Sequence, residues 1–115
     1  MRVLVCGGRN YNDWVTFCTV LEDIKPTFII EGGAKGTDAM AQKWAKNNLG
    51  KGPEFSTSFK ENWSEHGKGA GPIRNRQMLE EGKPDLVVAF KGGKGTANMV
   101  KQAKRAGVKV LEVTK

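Results

Sequence analysis

The fold is indicated first by residues 2–9, which read RVLVCGGR and lead a short apolar run directly into two glycines. Two more apolar runs, residues 28–30 and 86–90, also end just before a glycine pair. Runs that are apolar throughout are typical of strands covered on both faces of a parallel sheet. Residues 55–59 and 108–113 mix polar side chains into their runs, as edge strands do to discourage further pairing. The pattern therefore predicts a parallel sheet of about five strands in the order 3-2-1-4-5.

The segments between these runs have apolar residues at the spacing of an α-helix. Apolar residues recur at intervals of three and four from Trp14 onward, after a capping residue at Asn12 or Asp13. A second stripe runs through Met40, Ala41, Trp44 and Ala45. A third helix is expected from Pro72 to about residue 81, and a fourth over roughly residues 96–106. Alternating strands and helices predict an α/β, Rossmann-like domain of three layers over residues 1–115.

Length and composition narrow the classes of function. The 115 residues fit one domain, and they hold no apolar run of the roughly 18 residues that a membrane span needs. The first apolar run is shorter than a secretory signal requires, so a cytoplasmic protein is expected. Cys6 and Cys18 are expected to be reduced thiols, and one histidine excludes a multi-histidine metal site. The net charge of +7 fits a solvated surface, which is the preferred interpretation, or an anionic partner, and charge alone does not choose between them.

Glycine-rich loops follow the three most apolar strands. In a parallel sheet these strand ends share one edge, where open α/β sheets bind their ligands. Glycine lets a phosphate approach backbone N–H groups, and the helix N-termini that follow favour negative charge. The loops match neither a P-loop nor the G-x-G-x-x-G fingerprint, which disfavours a nucleoside triphosphatase and a conventional dehydrogenase. The predicted ligand-binding residues of these loops are Gly7, Gly8, Arg9, Gly32, Gly33, Gly36, Thr37, Asp38, Gly92, Gly93, Gly95 and Thr96.

Polar side chains near the loops supply the remaining candidates. Arg74 is the first choice for a charged contact with the ligand, because a guanidinium binds phosphate through a planar fork, and Arg9 is the second. Asn75 follows Arg74 in the third helix. Asp38 fits a hydrogen bond to ribose hydroxyls and equally a carboxylate in the first turn of a helix. Two aromatic residues, Tyr11 and Trp63, could stack on a base or only pack a loop.

These residues carry a resemblance to a known group over nearly the whole chain. The segments are residues 7–13 (GGRNYND), 32–38 (GGAKGTD), Trp63, 71–78 (GPIRNRQM) and 90–96 (FKGGKGT). They resemble the YspA/YpsA-related branch of the SLOG superfamily. The resemblance implies a Rossmann-like domain that senses, binds or processes nucleotide-derived ligands. It also implies a homo-oligomer, because the relatives commonly assemble.

Two better understood groups of relatives refine this expectation. The Lonely Guy phosphoribohydrolases carry R-x-x-x-M, matched here by Arg74 and Met78, and P-G-G-x-G-T-x-x-E, whose central glycines and threonine are also present. Lys91 stands where that motif has proline, and Met99 stands where it has its catalytic glutamate. A thioether cannot replace a carboxylate in acid–base chemistry, so the resemblance leans away from an enzyme. The single-stranded DNA-binding protein DprA has a loop similar to residues 32–38.

Three hypotheses follow, and the first is preferred. It is a binding protein for a nucleoside phosphate or an ADP-ribose-like molecule, acting as sensor, carrier or sequestering protein without a further cofactor or metal. The second is a hydrolase of the phosphoribohydrolase type, in which Glu31, Asp38 or Glu65 supplies the missing carboxylate. The third is a single-stranded nucleic-acid-binding protein. It is less favoured, because the few aromatic residues are not interleaved with the lysines as a base-stacking groove requires.

Overall fold

The computed structural model describes residues 1–61 and 67–115. Its five strands form one parallel sheet in the order β3-β2-β1-β4-β5, so the predicted α/β class and strand order are confirmed. The polar strands β3 and β5 lie at the two edges, as their composition predicts. The strands are β1 (Arg2–Cys6), β2 (Phe28–Glu31), β3 (Ser56–Ser58), β4 (Leu86–Ala89) and β5 (Lys109–Glu112).

In the described ranges, four α-helices connect the strands: α1 (Trp14–Ile24), α2 (Thr37–Asn48), α3 (Ala70–Gly82) and α4 (Lys94–Arg105). Asp13 caps α1 by accepting the Thr16 N–H at 3.0 Å, which settles the choice between the two predicted caps. Helices α3 and α4 each begin two residues earlier than predicted. The first N–H groups of a helix need no partner within it, so Pro72, which has no N–H, fits inside the first turn of α3.

The core lies on both faces of the sheet. On one face, β1, β2 and β4 pack against α1 and α2 through residues such as Val5, Phe17 and Trp44. On the other face, Leu4 and Val87 pack with Met78 of α3 and Met99 of α4. This double cover explains why β1, β2 and β4 are almost wholly apolar. Within the described residues, no helix is long and apolar enough to cross a membrane.

One buried charge breaks the apolar pattern of the central strands. Glu31 extends β2 by one residue beyond the predicted run, pairs with Ser58 of β3, and has no exposed surface. Its carboxylate accepts the Gly33 N–H at 2.5 Å, the Gln42 amide at 3.3 Å and the Ser58 hydroxyl. A buried carboxylate is tolerated only when it is hydrogen-bonded, so these donors account for its position.

Candidate ligand-binding site

A cavity of about 470 Å³ opens at the carboxyl end of the sheet, between the loops that follow β1, β2 and β4. Its walls come from segments that are distant in sequence, because the parallel topology brings these loops to the same edge. Three predicted site residues, Gly36, Thr37 and Gly92, do not line it. The predicted residues that do are Gly7, Gly8, Arg9, Gly32, Gly33, Asp38, Arg74, Asn75, Gly93, Gly95 and Thr96.

The loop after β1 is hydrogen-bonded to both of its neighbours. The Gly8 N–H donates to the Lys91 carbonyl at 2.8 Å, and the Gly8 carbonyl accepts the Thr37 N–H at 3.2 Å. The Thr37 hydroxyl donates to the same carbonyl at 3.1 Å and is fully buried. Thr37 therefore holds two loops together, and its hydroxyl faces protein.

In the loop after β2, two N–H groups contact carboxylates of the protein itself. Glu31 accepts from Gly33, as described above, and Asp38 accepts from the Ala34 N–H at 3.1 Å. A phosphate at these N–H groups would compete with two carboxylates. This wall of the cavity is therefore suited to neutral hydrogen-bonding groups such as sugar hydroxyls.

The loop after β4 differs from the loop after β2, because neither the strand before it nor the helix after it contains an acidic residue. It leads into α4, whose first turn contains Lys94 and no acidic residue, and no described side chain caps this helix. An added Cβ at Gly93 or Gly95 would meet no atom within 4 Å. Unpaired N–H groups at a helix N-terminus attract anions, and the space beside the two glycines here is open. This wall is the part of the cavity best suited to a phosphate.

Arg74 links the two walls. Its guanidinium donates to the Gly32 carbonyl at 2.9 Å, to Asn75 Oδ1 at 3.1 Å and to Glu61 Oε1 at 3.2 Å. Asn75 in turn donates to the Gly95 carbonyl at 3.1 Å, which ties α3 to the first turn of α4. A guanidinium has five N–H donors, so these contacts leave capacity for a ligand while fixing the orientation of the fork.

Asp38 is a carboxylic acid whose pKa is strongly shifted by this environment. It is 7% exposed and lines the cavity from the first turn of α2. Burial raises its pKa to about 6; the Ala34 N–H lowers the pKa, and the nearby Glu31 carboxylate raises it. Asp38 therefore changes protonation state near neutral pH, which suits either hydrogen bonding to hydroxyls or acid–base chemistry.

Replacing Asp38 with asparagine is expected to change how stability depends on pH. The raised pKa means that the folded chain binds a proton more tightly than the unfolded chain does. Asp38 therefore stabilises the fold below pH 4, and this contribution is lost as pH rises through about 6. The stability of the wild type relative to Asp38→Asn should fall by up to about 3 kcal/mol over this range.

Urea unfolding of both proteins at pH 4, 5, 6 and 7 measures this difference. Asp23→Asn on the exposed surface of α1 is the matched control, and its difference from the wild type should vary little with pH. A constant difference between the wild type and Asp38→Asn would contradict the burial of the Asp38 charge.

Several cavity residues were not predicted as site residues: Cys6, Ala34, Lys60, Glu61, Met78 and Lys94. Lys60 and Glu61 follow β3, so the rule that placed the other loops at this edge could have found them. Burial raises the pKa of the Cys6 thiol to about 12, and Asp38 adds to the shift, so this thiol is protonated at neutral pH. Lys94 lies in a first turn that was predicted to begin later.

Met99 and Tyr11, which the sequence patterns also single out, do not line the cavity. Met99 is fully buried in the core between α4 and the sheet and does not line the cavity, so its position could not present a carboxylate there without rearrangement. The Tyr11 ring packs against Phe90, with ring centroids 5.3 Å apart, outside the cavity. Trp63 and Glu65 lie outside the described residues.

Comparison with known proteins places the chain in a family. The profile of the YspA, cpYpsA-related SLOG family matches residues 1–66, which include the loops after β1 and β2. The chain belongs to this SLOG family. It is also similar to the Gene 61 protein of Mycobacterium phage D29, with 32% identity over 118 aligned positions that cover 96% of this chain and 94% of the phage protein. Membership in the SLOG family suggests a nucleotide-related function.

Proposed function

We propose that this SLOG protein binds a nucleotide-derived ligand at the carboxyl edge of its sheet, as a sensor, carrier or sequestering protein. The observation that carries the proposal is the contrast between the two walls of the cavity. The first turn of α4 offers uncapped N–H groups beside open space at Gly93 and Gly95. The opposite wall offers carboxylates that already hold the loop N–H groups. One wall suits a phosphate and the other suits ribose hydroxyls.

The basic side chains of the cavity also support a ligand with its phosphate at the first turn of α4. Arg9, Lys60 and Lys94 line the cavity and are exposed, so they can attract an anion from solution. Arg74 is held between Gly32 and Glu61 and can contact the ligand between its phosphate and its sugar. The volume of about 470 Å³ lies within the range of small-molecule sites.

A second candidate function is hydrolysis of a nucleotide, and Asp38 is the observation that favours it. Its carboxyl lines the cavity and has a pKa of about 6, which is suitable for a general acid or base at neutral pH. Met99 gives no support to this reading, because its side chain is buried in the core. In this alternative Asp38 replaces the carboxylate that the phosphoribohydrolase motif supplies from α4.

The two functions are distinguished by incubating purified protein with a mixed pool of nucleotides. The pool contains nucleoside monophosphates, NAD, ADP-ribose, cyclic nucleotides and short oligonucleotides, and mass spectrometry compares the retained and free fractions after filtration. Retention of one intact small molecule is the expected result. Conversion that is lost in Asp38→Asn would favour the hydrolase, and retention of oligonucleotides alone would favour nucleic-acid binding. The absence of both retention and conversion for every compound would contradict all three.

A further inference from the structure

The positive charge of the chain is concentrated in residues 91–115, which include α4 and β5. Seven of the 19 lysines and arginines lie in this segment, with one of the 12 acidic residues. The segment therefore carries +6 of the net charge of +7, and residues 1–90 carry +1. Because β5 is an edge strand, this excess of charge lies at one side of the molecule.

Much of this charge projects from one side of α4. Met99 and Ala103 face the sheet, and Gln102 faces α3, where its amide donates to the Pro72 carbonyl at 3.1 Å. The exposed side chains of the helix recur at helical spacing on the remaining side. They are Lys94, Ala97, Lys101, Lys104 and Arg105. Lys94 lines the cavity, and the other three cations form what we call the basic face.

The charge of the basic face is poorly neutralised. Lys101, Lys104 and Arg105 are three and four residues apart, a spacing at which like charges repel each other on a helix. Within the described residues, one ion pair involves them, between Lys104 Nζ and Glu112 Oε2 at 3.5 Å, and both side chains are exposed. Cations in the last turn suit the helix dipole, but Lys101 lies a turn earlier. The basic face is therefore suited to an anionic partner.

We infer that the basic face binds the phosphate backbone of double-stranded DNA without reading its sequence. Helix α4 is about 18 Å long, and duplex DNA carries one negative charge per about 1.7 Å of its axis, so the face can meet several phosphates. Lysine and arginine make such contacts independently of the bases. Lys109, exposed at the start of β5, adds a fourth cation at this end of the sheet.

The composition of the face favours duplex DNA over other anionic partners. Single strands are held by stacking on aromatic side chains, and helices on membrane surfaces place large apolar residues beside their basic ones. Double-stranded RNA is recognised in part through its 2′-hydroxyl groups. The exposed side chains of α4 include no aromatic residue, no apolar residue larger than Ala97, and no hydroxyl or amide. They offer charge alone, which suits contacts with phosphates.

The basic face is separate from the proposed ligand-binding cavity. Lys101 lies seven residues after Lys94, which is about 10 Å along the helix, and no residue of the basic face lines the cavity. The inference therefore does not rest on the proposed function. A failure to retain any nucleotide would contradict the proposed function and leave DNA binding at α4 intact.

Fluorescence anisotropy of a labelled DNA duplex of about 20 base pairs tests the inference. The affinity is expected to fall about 50-fold or more as NaCl rises from about 50 to 200 mM, because three or four phosphate contacts release counterions. The same titration is made with a single strand, with double-stranded RNA and with vesicles of phosphatidylserine and phosphatidylcholine. Tighter binding of any of these three, or no binding of the duplex at the lowest salt concentration, would overturn the inference.

Paired charge removals locate the interface. Lys101→Gln combined with Arg105→Gln is expected to weaken duplex binding about tenfold at about 50 mM NaCl and to reduce the salt slope by about two. Both side chains are exposed, so urea unfolding should match the wild type. Lys46→Gln combined with Lys51→Gln removes the same charge in and just after α2, which packs on the other face of the sheet. Equal losses in the two double variants would mean that net charge alone matters, and would overturn the inference.

A variant of the cavity distinguishes the basic face from the nucleotide site. Gly93→Val should bind duplex DNA like the wild type, and the double variant of Lys101 and Arg105 should retain the nucleotide ligand. Loss of duplex binding in a folded Gly93→Val protein would place the DNA at the cavity and overturn its assignment to the basic face.

Discussion

Replacing Gly93 with valine is expected to weaken binding of the nucleotide ligand at least about 100-fold while leaving the fold intact. Gly93 precedes the first turn of α4, and an added Cβ there meets no atom within 4 Å. Its φ of −102° and ψ of −141° lie outside the main allowed regions for a residue with a side chain, so valine also strains the backbone here. The valine methyl groups would occupy the space beside the N–H groups that we assign to the phosphate.

Two measurements separate the expected loss of binding from a loss of structure. Calorimetry gives the affinity for the retained ligand, and urea unfolding should show a loss of stability of about 1–3 kcal/mol, because valine is strained at this φ and ψ and caps a helix less well than glycine. Ala97→Val, an exposed position of the same helix, is the matched control for the added methyl groups and should bind normally. Wild-type affinity in Gly93→Val would show that the phosphate lies elsewhere.

Replacing Gly36 with alanine is expected to lower the free energy of unfolding by about 3 kcal/mol or more. Gly36 precedes α2 with a φ of +69°, a conformation that costs a residue with a Cβ about 1 kcal/mol or more. The added Cβ would also contact the Arg9 carbonyl and would lie 2.5 Å from the Gly8 carbonyl oxygen. Those carbonyls belong to the loop after β1, which must move to admit the methyl group.

A second glycine separates the two contributions. Gly107 has a φ of +76°, yet an added Cβ there meets nothing within 4 Å. Gly107→Ala should therefore show the backbone cost alone, about 1 kcal/mol. The difference between the two variants in urea unfolding measures the close approach of the loops together with the strain of the ψ of −120° at Gly36, which lies outside the left-handed helical region. Similar losses of unfolding free energy in both variants would mean that the loop after β1 moves aside at little cost.

The sheet could be predicted because strands that are buried on both faces have a distinctive amino-acid composition. A strand covered by helices on both sides carries apolar side chains throughout, as Val3, Leu4 and Val5 do, and a polar edge strand does not. The strand order followed from that contrast. The same rule placed most of the cavity residues, because each follows a strand that ends at the shared edge.

The hydrogen-bond partners within the site could not be predicted in the same way. Glu31 and Asp38 hold N–H groups two and four residues away, a choice that depends on the φ and ψ angles of the loop. Thr37 faces the Gly8 carbonyl from another part of the chain, which only the packed structure determines. The burial of Met99 depends on the orientation of α4 against the sheet. The homo-oligomer and the cytoplasmic location stay predictions.

The hydrogen bonds between the loop after β1 and its neighbours have a consequence for the thermodynamics of recognition. Gly8 is bonded on one side to Lys91 and on the other to Thr37, so three loops that are distant in sequence move as one unit. A site assembled in this way loses little conformational entropy when a ligand arrives. The amide hydrogens of Gly8 and Thr37 should exchange with solvent as slowly as those of β1, even in the unliganded protein.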